Sequence, residues 1–216
     1  MNPEAWQERL GVYLVLGIDN AGGRSALETV RLAIEGGVDV VQLREKKAPL
    51  RRVLEVGRKM RELCREHDVL FVVNDRVDVA MLLDADGVHV GQDDLPAGEA
   101  RKLIGDHMFI GVSASSVAEA RWAIEQGADY LGVGAIYATG SKADAGDPVT
   151  PALIGEIRKF SALPIVGIGG ITAENCAEVM EQGANGVAVI SAIVGQPDPK
   201  QATVRLKQAV APFIGK

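Results

Sequence analysis

Apolar residues along this chain fall into short β-branched runs that alternate with longer stretches of helical period. The runs at 12–17, 39–43, 70–74, 87–90, 109–113, 130–134, 165–168 and 186–190 predict strands. Between them, stretches such as 25–36, 50–66, 116–126 and 172–182 space apolar side chains three and four apart with charge on the other face, which predicts covering helices. One join recurs. Glu35-Gly36-Gly37-Val38-Asp39, Glu125-Gln126-Gly127-Ala128-Asp129 and Glu181-Gln182-Gly183-Ala184-Asn185 each stop a helix at glycine and lead straight into a strand. The repeated unit is therefore β-then-α. About eight such units, undivided by any Pro/Gly/Ser-rich linker, predict one α/β domain over 1–216: a single closed (β/α)8 TIM barrel with 1–11 as a short N-terminal extension. An open doubly wound sheet fits this length less well.

A barrel collects its chemistry at the carboxyl ends of its strands and in the loops that follow. Phe71-Val72-Val73-Asn74-Asp75 and Gly87-Val88-His89-Val90-Gly91-Gln92-Asp93-Asp94 are two apolar runs that end abruptly in carboxylates. Neighbouring strands lie about 4.8 Å apart, so an acid past each end can grip one hard cation and leave positions open for substrate phosphates, the usual manner of holding Mg²⁺. Gln42-Leu43-Arg44-Glu45-Lys46 closes another run, with Arg44 and Lys46 projecting to one side as an anion clamp. After the seventh run, Gly167-Ile168-Gly169-Gly170-Ile171-Thr172 offers backbone N–H groups to an anion, with a plain tight turn as the competing reading. The eighth run ends in Val189-Ile190-Ser191-Ala192. The loop 135–148 is the longest non-periodic stretch, and in it Thr139, Gly140, Ser141 and Lys142 supply hydroxyls, flexibility and a mobile charge; a surface loop of small residues is the bland alternative.

Composition narrows the function classes. A formal net charge of −6 argues against nucleic acid as a partner, which needs a broad basic face, so any phosphate site must be local. The two cysteines, Cys64 and Cys176, make neither a disulfide framework nor a zinc set, which points to a reducing compartment. The amino terminus lacks a basic region followed by an apolar core, and no apolar run approaches the roughly 18 residues of a membrane span. The expectation is a cytoplasmic enzyme of small-molecule substrates with no membrane partner, and homo-oligomerisation is left open.

Taken in order, these segments resemble the thiamine phosphate synthase family over nearly the whole chain. The family's Gln-x-Arg-Glu-Lys pattern stands at Gln42 to Lys46, its Val-Asn-Asp at Val73-Asn74-Asp75 and its Gly-Gln-acid-Asp at Gly91-Gln92-Asp93-Asp94. Gly111-Val112-Ser113, Thr139-x-Ser141-Lys142, Val166 to Ile171 and Ile190-Ser191-Ala192 continue the match. The resemblance implies that Asp75 and Asp94 bind Mg²⁺. It implies that residues 42–46, Asn74, Ser113 and Lys142 hold hydroxymethylpyrimidine diphosphate, and that residues 139–141, Gly170, Ile190 and Ser191 hold the phosphate of hydroxyethylthiazole phosphate. The chain departs from many members at Ala135 and Ala138, where they carry proline, at Ser141, where they carry threonine, and at Ser115-Ser116, where they carry His-Thr. None of these changes removes a charge from the clamp.

The implied reaction joins the thiazole nitrogen to the exocyclic methylene of the pyrimidine and expels pyrophosphate. It requires charge stabilisation of the departing diphosphate by Mg²⁺, Arg44, Lys46 and Lys142 rather than an activated nucleophile, and the chain shows no convincing nucleophile–base pair. His89 reads as a hydrogen-bonded barrel histidine in preference to a catalytic base, and Glu45 as a counterion that orients Arg44 and Lys46. Asp78, Asp84 and Asp86 read as solvated ends of elements. Two other readings stay open: a thiazole tautomerase of the same barrel family, against which Asp94 with Gln92 argues, and a non-enzymatic thiamine-pathway binding protein, which has no need of a complete diphosphate clamp.

Overall fold

A computed structural model describes residues 6–19, 23–141 and 147–214. The β-branched runs form strands β1 (Val12–Leu16), β2 (Val40–Leu43), β3 (Leu70–Asn74), β4 (Gly87–Val90), β5 (Phe109–Ala114), β6 (Tyr130–Val133), β7 (Ile165–Ile168) and β8 (Gly186–Val189). All pair in parallel and close in chain order, β8 returning to β1, as a (β/α)8 TIM barrel. The helices are α1 (Ala26–Glu35), α2 (Leu50–Glu66), α3 (Val77–Leu82), α4 (Ala97–Ile104), α5 (Val117–Glu125), α6 (Ala152–Arg158), α7 (Cys176–Glu181), α8 (Ser191–Val194) and α9 (Pro199–Val210). Their starts are written locally: Ser25 and Ser116 each accept the N–H of the glutamate three residues on. The stretch 172–182 becomes helical only from Cys176. Asn175 delays it, for its Oδ1 accepts the Thr172 N–H at 2.8 Å while its Nδ2 donates to the Gly170 carbonyl at 3.0 Å. None of the described helices is long and apolar enough to cross a membrane.

Alternation along each strand splits the core into two layers. In β1, Val12, Leu14 and Leu16 face the helices, and Tyr13 and Val15 face inward to meet Val40, Val72, Tyr130, Val166 and Ala188. At the amino-terminal mouth of the barrel, Trp6 stacks on Phe109 with ring centroids 4.3 Å apart.

The recurring helix-stop join proves to be a clamp. Asp39, Asp86, Asp129 and Asn185 each precede an even-numbered strand, and each grips one residue of the preceding odd strand twice. The side chains accept the N–H of Val12, Phe71, Ile110 and Ile165 at 2.7, 2.7, 2.7 and 2.9 Å, and the backbone N–H groups donate to the carbonyls of the same four residues. A cation from a covering helix completes each: Lys207 on Asp39, Arg61 on Asp86, Arg101 on Asp129 and Arg158 on Asn185. This corrects the expectation for Asp86, which is no solvated end but a part-buried carboxylate bound by both guanidinium nitrogens of Arg61 at 3.1 and 3.2 Å. Each of these N–H groups lies at the first or second residue of its strand, and a buried donor left without an acceptor is costly, so a side-chain oxygen at this position is held there by backbone demand.

Candidate functional site

The carboxyl ends of the strands surround a cavity of about 520 Å³. One wall carries the acids. Asp75 follows β3 in a left-handed conformation, φ 63°, with its N–H donating to the His89 carbonyl at 2.8 Å. A non-glycine residue held there carries strain, which here aims a carboxylate at its neighbour across the β3–β4 seam. Asp94 is anchored differently: its Oδ2 accepts the Gly91 N–H at 2.8 Å. The two carboxyl groups come within hydrogen-bond reach of one another, and Lys46 Nζ lies 3.0 Å from Asp75 Oδ2. Burial pushes the Asp75 carboxyl above its ordinary range, Lys46 draws it back, and the like charge of Asp94 pushes it up again. Facing carboxylates of this kind fit a divalent cation. Among the described residues no group of three or more His, Cys, Asp or Glu forms a metal cage, and Mg²⁺ asks for none, since it takes one or two carboxylates and fills its octahedron with water and phosphate oxygens.

Arg44, Lys46, Asn74 and Ser113 line the same cavity. Other members of the predicted clamp lie elsewhere. Leu43 turns toward the helices, 1% exposed in the outer core layer, because successive strand residues face opposite sides; it brings no side chain to the cavity. Gln42 points into the barrel beneath the site. Glu45, expected as a counterion, uses its carboxylate to knit the loop. Oε2 accepts the Ile18 N–H at 2.9 Å, and Oε1 accepts those of Lys47 and Ala48 at 2.8 and 3.0 Å. Lys142 lies outside the described residues.

The opposite wall gathers Thr139, Ser141, Gly169, Gly170, Ile190 and Ser191. Ser141 Oγ lies 3.4 Å from Ser191 Oγ, which joins the loop after β6 to the first residue of α8, just past β8. Gly140 is near in sequence but stands outside the cavity lining. Gly170 has φ 66°, and a Cβ there would meet Tyr137 Cβ at 2.7 Å and the Ala138 carbonyl at 2.8 Å. Its glycine character thus serves the close approach of two loops, as the tight-turn reading of the Gly-Gly pair expects.

His89 is hydrogen-bonded inside the barrel as expected, with Nδ1 2.9 Å from the Tyr130 hydroxyl and Nε2 3.0 Å from Ser113 Oγ. Sequence reasoning missed the brace behind Ser113. Gln92 Nε2 donates to the Ser113 carbonyl at 2.6 Å and lies 3.2 Å from Glu119, whose carboxylate also accepts from the N–H and hydroxyl of Ser115. The Gly-Gln-acid-Asp motif held the only available signal for it.

Comparison with known proteins agrees with this geometry. The model of the thiamine monophosphate synthase family matches residues 12–193. The chain is 50% identical over 205 residues to the thiamine-phosphate synthase of Moorella thermoacetica, covering 95% of this chain and 98% of that one. It is 52% identical over 202 residues to the thiamine-phosphate synthase of Natronomonas pharaonis, covering 93% and 94%. The solved structure of thiamine phosphate pyrophosphorylase from Pyrococcus furiosus superposes with a TM-score of 0.89 at 40% identity, covering 97% of this chain and 99% of that chain.

Proposed function

Since this chain belongs to the thiamine monophosphate synthase family, we propose that its cavity couples hydroxymethylpyrimidine diphosphate to hydroxyethylthiazole phosphate, releasing pyrophosphate and thiamine phosphate. The observation that carries the assignment is the division of one cavity into a wall of acids and cations and a wall of hydroxyls and glycines.

Asp75 and Asp94 would hold Mg²⁺, which when bound supplies Lewis-acid neutralisation of the diphosphate. Arg44 and Lys46 add fixed positive charge beside it, so the carbon–oxygen bond of the pyrimidine methylene breaks with the negative charge of the leaving group already balanced. Asn74 and Ser113 orient the pyrimidine ring. Across the cavity, Ser141, Ser191 and the backbone of Gly169 and Gly170 place the thiazole phosphate, so that the ring nitrogen faces the methylene carbon. No protein nucleophile is required, because the thiazole nitrogen carries its own lone pair. Its alignment by the two walls removes the entropic part of the barrier.

The reading places the protein in the cytoplasm, in keeping with the free, buried Cys64 and Cys176. The test is incubation of purified protein with both substrates and Mg²⁺, scoring thiamine phosphate and pyrophosphate together. Equal yields of both products support the assignment; turnover of neither substrate rejects it.

A further inference from the structure

Five polar side chains from five strands bond in series through the barrel interior. Gln42 Nε2 donates to the Tyr13 hydroxyl at 2.7 Å, and the Tyr13 and Tyr130 hydroxyls lie 3.0 Å apart. Tyr130 is 2.9 Å from His89 Nδ1, and His89 Nε2 is 3.0 Å from Ser113 Oγ. Barrel interiors are ordinarily filled by branched apolar residues. A polar series there is tolerable only if every member is satisfied, and among the described residues no buried side-chain nitrogen or oxygen lacks a partner. Space is reserved for it: a Cβ on Gly111 would lie 2.1 Å from the Tyr130 ring and 2.5 Å from His89 Nδ1, and one on Gly132 would lie 2.7 Å from His89 Cε1.

Such a series has a direction. Each hydroxyl carries one proton and a neutral imidazole carries one. Burial raises both phenols far above their ordinary value, so neither gives its proton up. With the Gln42 amide donating, the Tyr13 proton goes to Tyr130 and the Tyr130 proton to Nδ1. The imidazole proton then sits on Nε2 facing Ser113, and the Ser113 proton is left for the cavity. With the opposite polarity Ser113 would donate to His89 and face the cavity as an acceptor.

We propose that Tyr13, Tyr130 and His89 are positioning residues that set the Ser113 hydroxyl as a hydrogen-bond donor toward an unprotonated nitrogen or oxygen of the bound substrate. This rests on the assignment of Ser113 to the pyrimidine wall and extends it to residues deeper in the barrel, outside the lining of the main cavity.

The test reads polarity and catalysis separately. In protein labelled with ¹⁵N-histidine, with His67→Gln and His107→Gln leaving one histidine signal, His89 should be neutral with its proton on Nε2. A proton on Nδ1, or on both nitrogens, overturns the proposal with no variant of the series needed. Tyr130→Phe keeps the ring and removes the link. It should mix the two tautomers and lower kcat/KM for the pyrimidine diphosphate about tenfold, the loss of roughly one hydrogen bond, with KM for the thiazole phosphate unchanged. Tyr13→Phe should act in the same direction and stands in if Tyr130→Phe does not fold. A lower melting temperature with a single tautomer and wild-type kcat/KM in both variants would show a merely structural role and sink the idea. Because the tautomer is read without turnover, failure of the coupling reaction itself would be recognised apart from failure of the series.

Discussion

Lys46 Nζ stands 3.0 Å from Asp75 Oδ2, joining the loop after β2 to the residue after β3, and Asp94 presses on the same carboxyl from the loop after β4. The lysine and aspartate side chains are 46% and 20% exposed, and a pair so open contributes at most about 1 kcal/mol. One ammonium against two carboxylates leaves negative charge over, which is what a divalent cation would offset.

Asp94→Asn should therefore separate metal from fold. The amide oxygen keeps the acceptor for the Gly91 N–H while removing the charge that faces Asp75. In chelator the variant should melt about 2–4 °C higher than the parent, equivalent to about 1 kcal/mol for a chain of this size. It should lose the Mg²⁺-induced rise in melting temperature and at least about 100-fold in turnover. Thermal melts over a Mg²⁺ titration, paired with thiamine phosphate assays, check this; a parental Mg²⁺ response in the variant would remove Asp94 from the metal site.

Ser191→Ala tests the thiazole wall. Its hydroxyl meets Ser141 at 3.4 Å on the same wall, and one hydrogen bond to a charged phosphate is worth about 1.5–3 kcal/mol. KM for the thiazole phosphate should rise roughly 10- to 100-fold while KM for the pyrimidine diphosphate moves little. Steady-state kinetics with each substrate varied in turn would reverse the wall assignment if the opposite pattern emerged. Gly170→Val is a poorer probe, because the new side chain would collide with Tyr137 and the Ala138 carbonyl before reaching any ligand.

The strand clamps are a matter of stability rather than turnover. Asp86→Ala orphans the Phe71 N–H and the Arg61 guanidinium together, and should cost about 3–5 kcal/mol. Asp86→Asn keeps an acceptor for the N–H and should cost less than half of that. Urea unfolding measures both, with kcat of the folded fraction expected to stay at the parental value; equal losses in the two variants would show that charge, not the backbone bond, dominates.

Acid should loosen the loop after β2 through Glu45. Burial works to raise this carboxyl, yet the N–H groups of Lys47, Ile18, Ala48 and Lys46 together hold it below its ordinary 4.5. A folded value below the unfolded one means a stabilising contribution that is complete above about 4.5 and disappears as pH falls through the lower folded value. Glu45→Gln should thus be less stable than the parent at neutral pH and converge with it under acid. Melting curves from pH 7 downward check the convergence; a constant gap at all pH values would deny Glu45 this role.

Much of this was legible in the chain because it is local. The strand limits stand within one residue of those set by the β-branched runs, since alternation and glycine stops act over a few neighbouring residues. The helix-stop join was visible as a repeat, yet its meaning was not. Nothing beside Asp86 shows that Phe71 needs an acceptor or that Arg61 lies one helical face away. The same limit hides that strand alternation turns the Leu43 side chain outward while Arg44 and Lys46 of the same motif reach the cavity.

The sequence by itself determined the barrel, the strand ends around which the cavity opens, and the identities of the acids, cations and hydroxyls at its rim, because short-range periodicity specifies elements and a closed parallel barrel gathers its strand ends in one place. Tertiary structure alone decided which groups meet: Lys46 with Asp75, Asp75 with Asp94, Ser141 with Ser191 and the series from Gln42 to Ser113. Those contacts depend on the curvature and stagger of a sheet closed upon itself, which sets distances between strands far apart in the chain and leaves no mark on the residues between them.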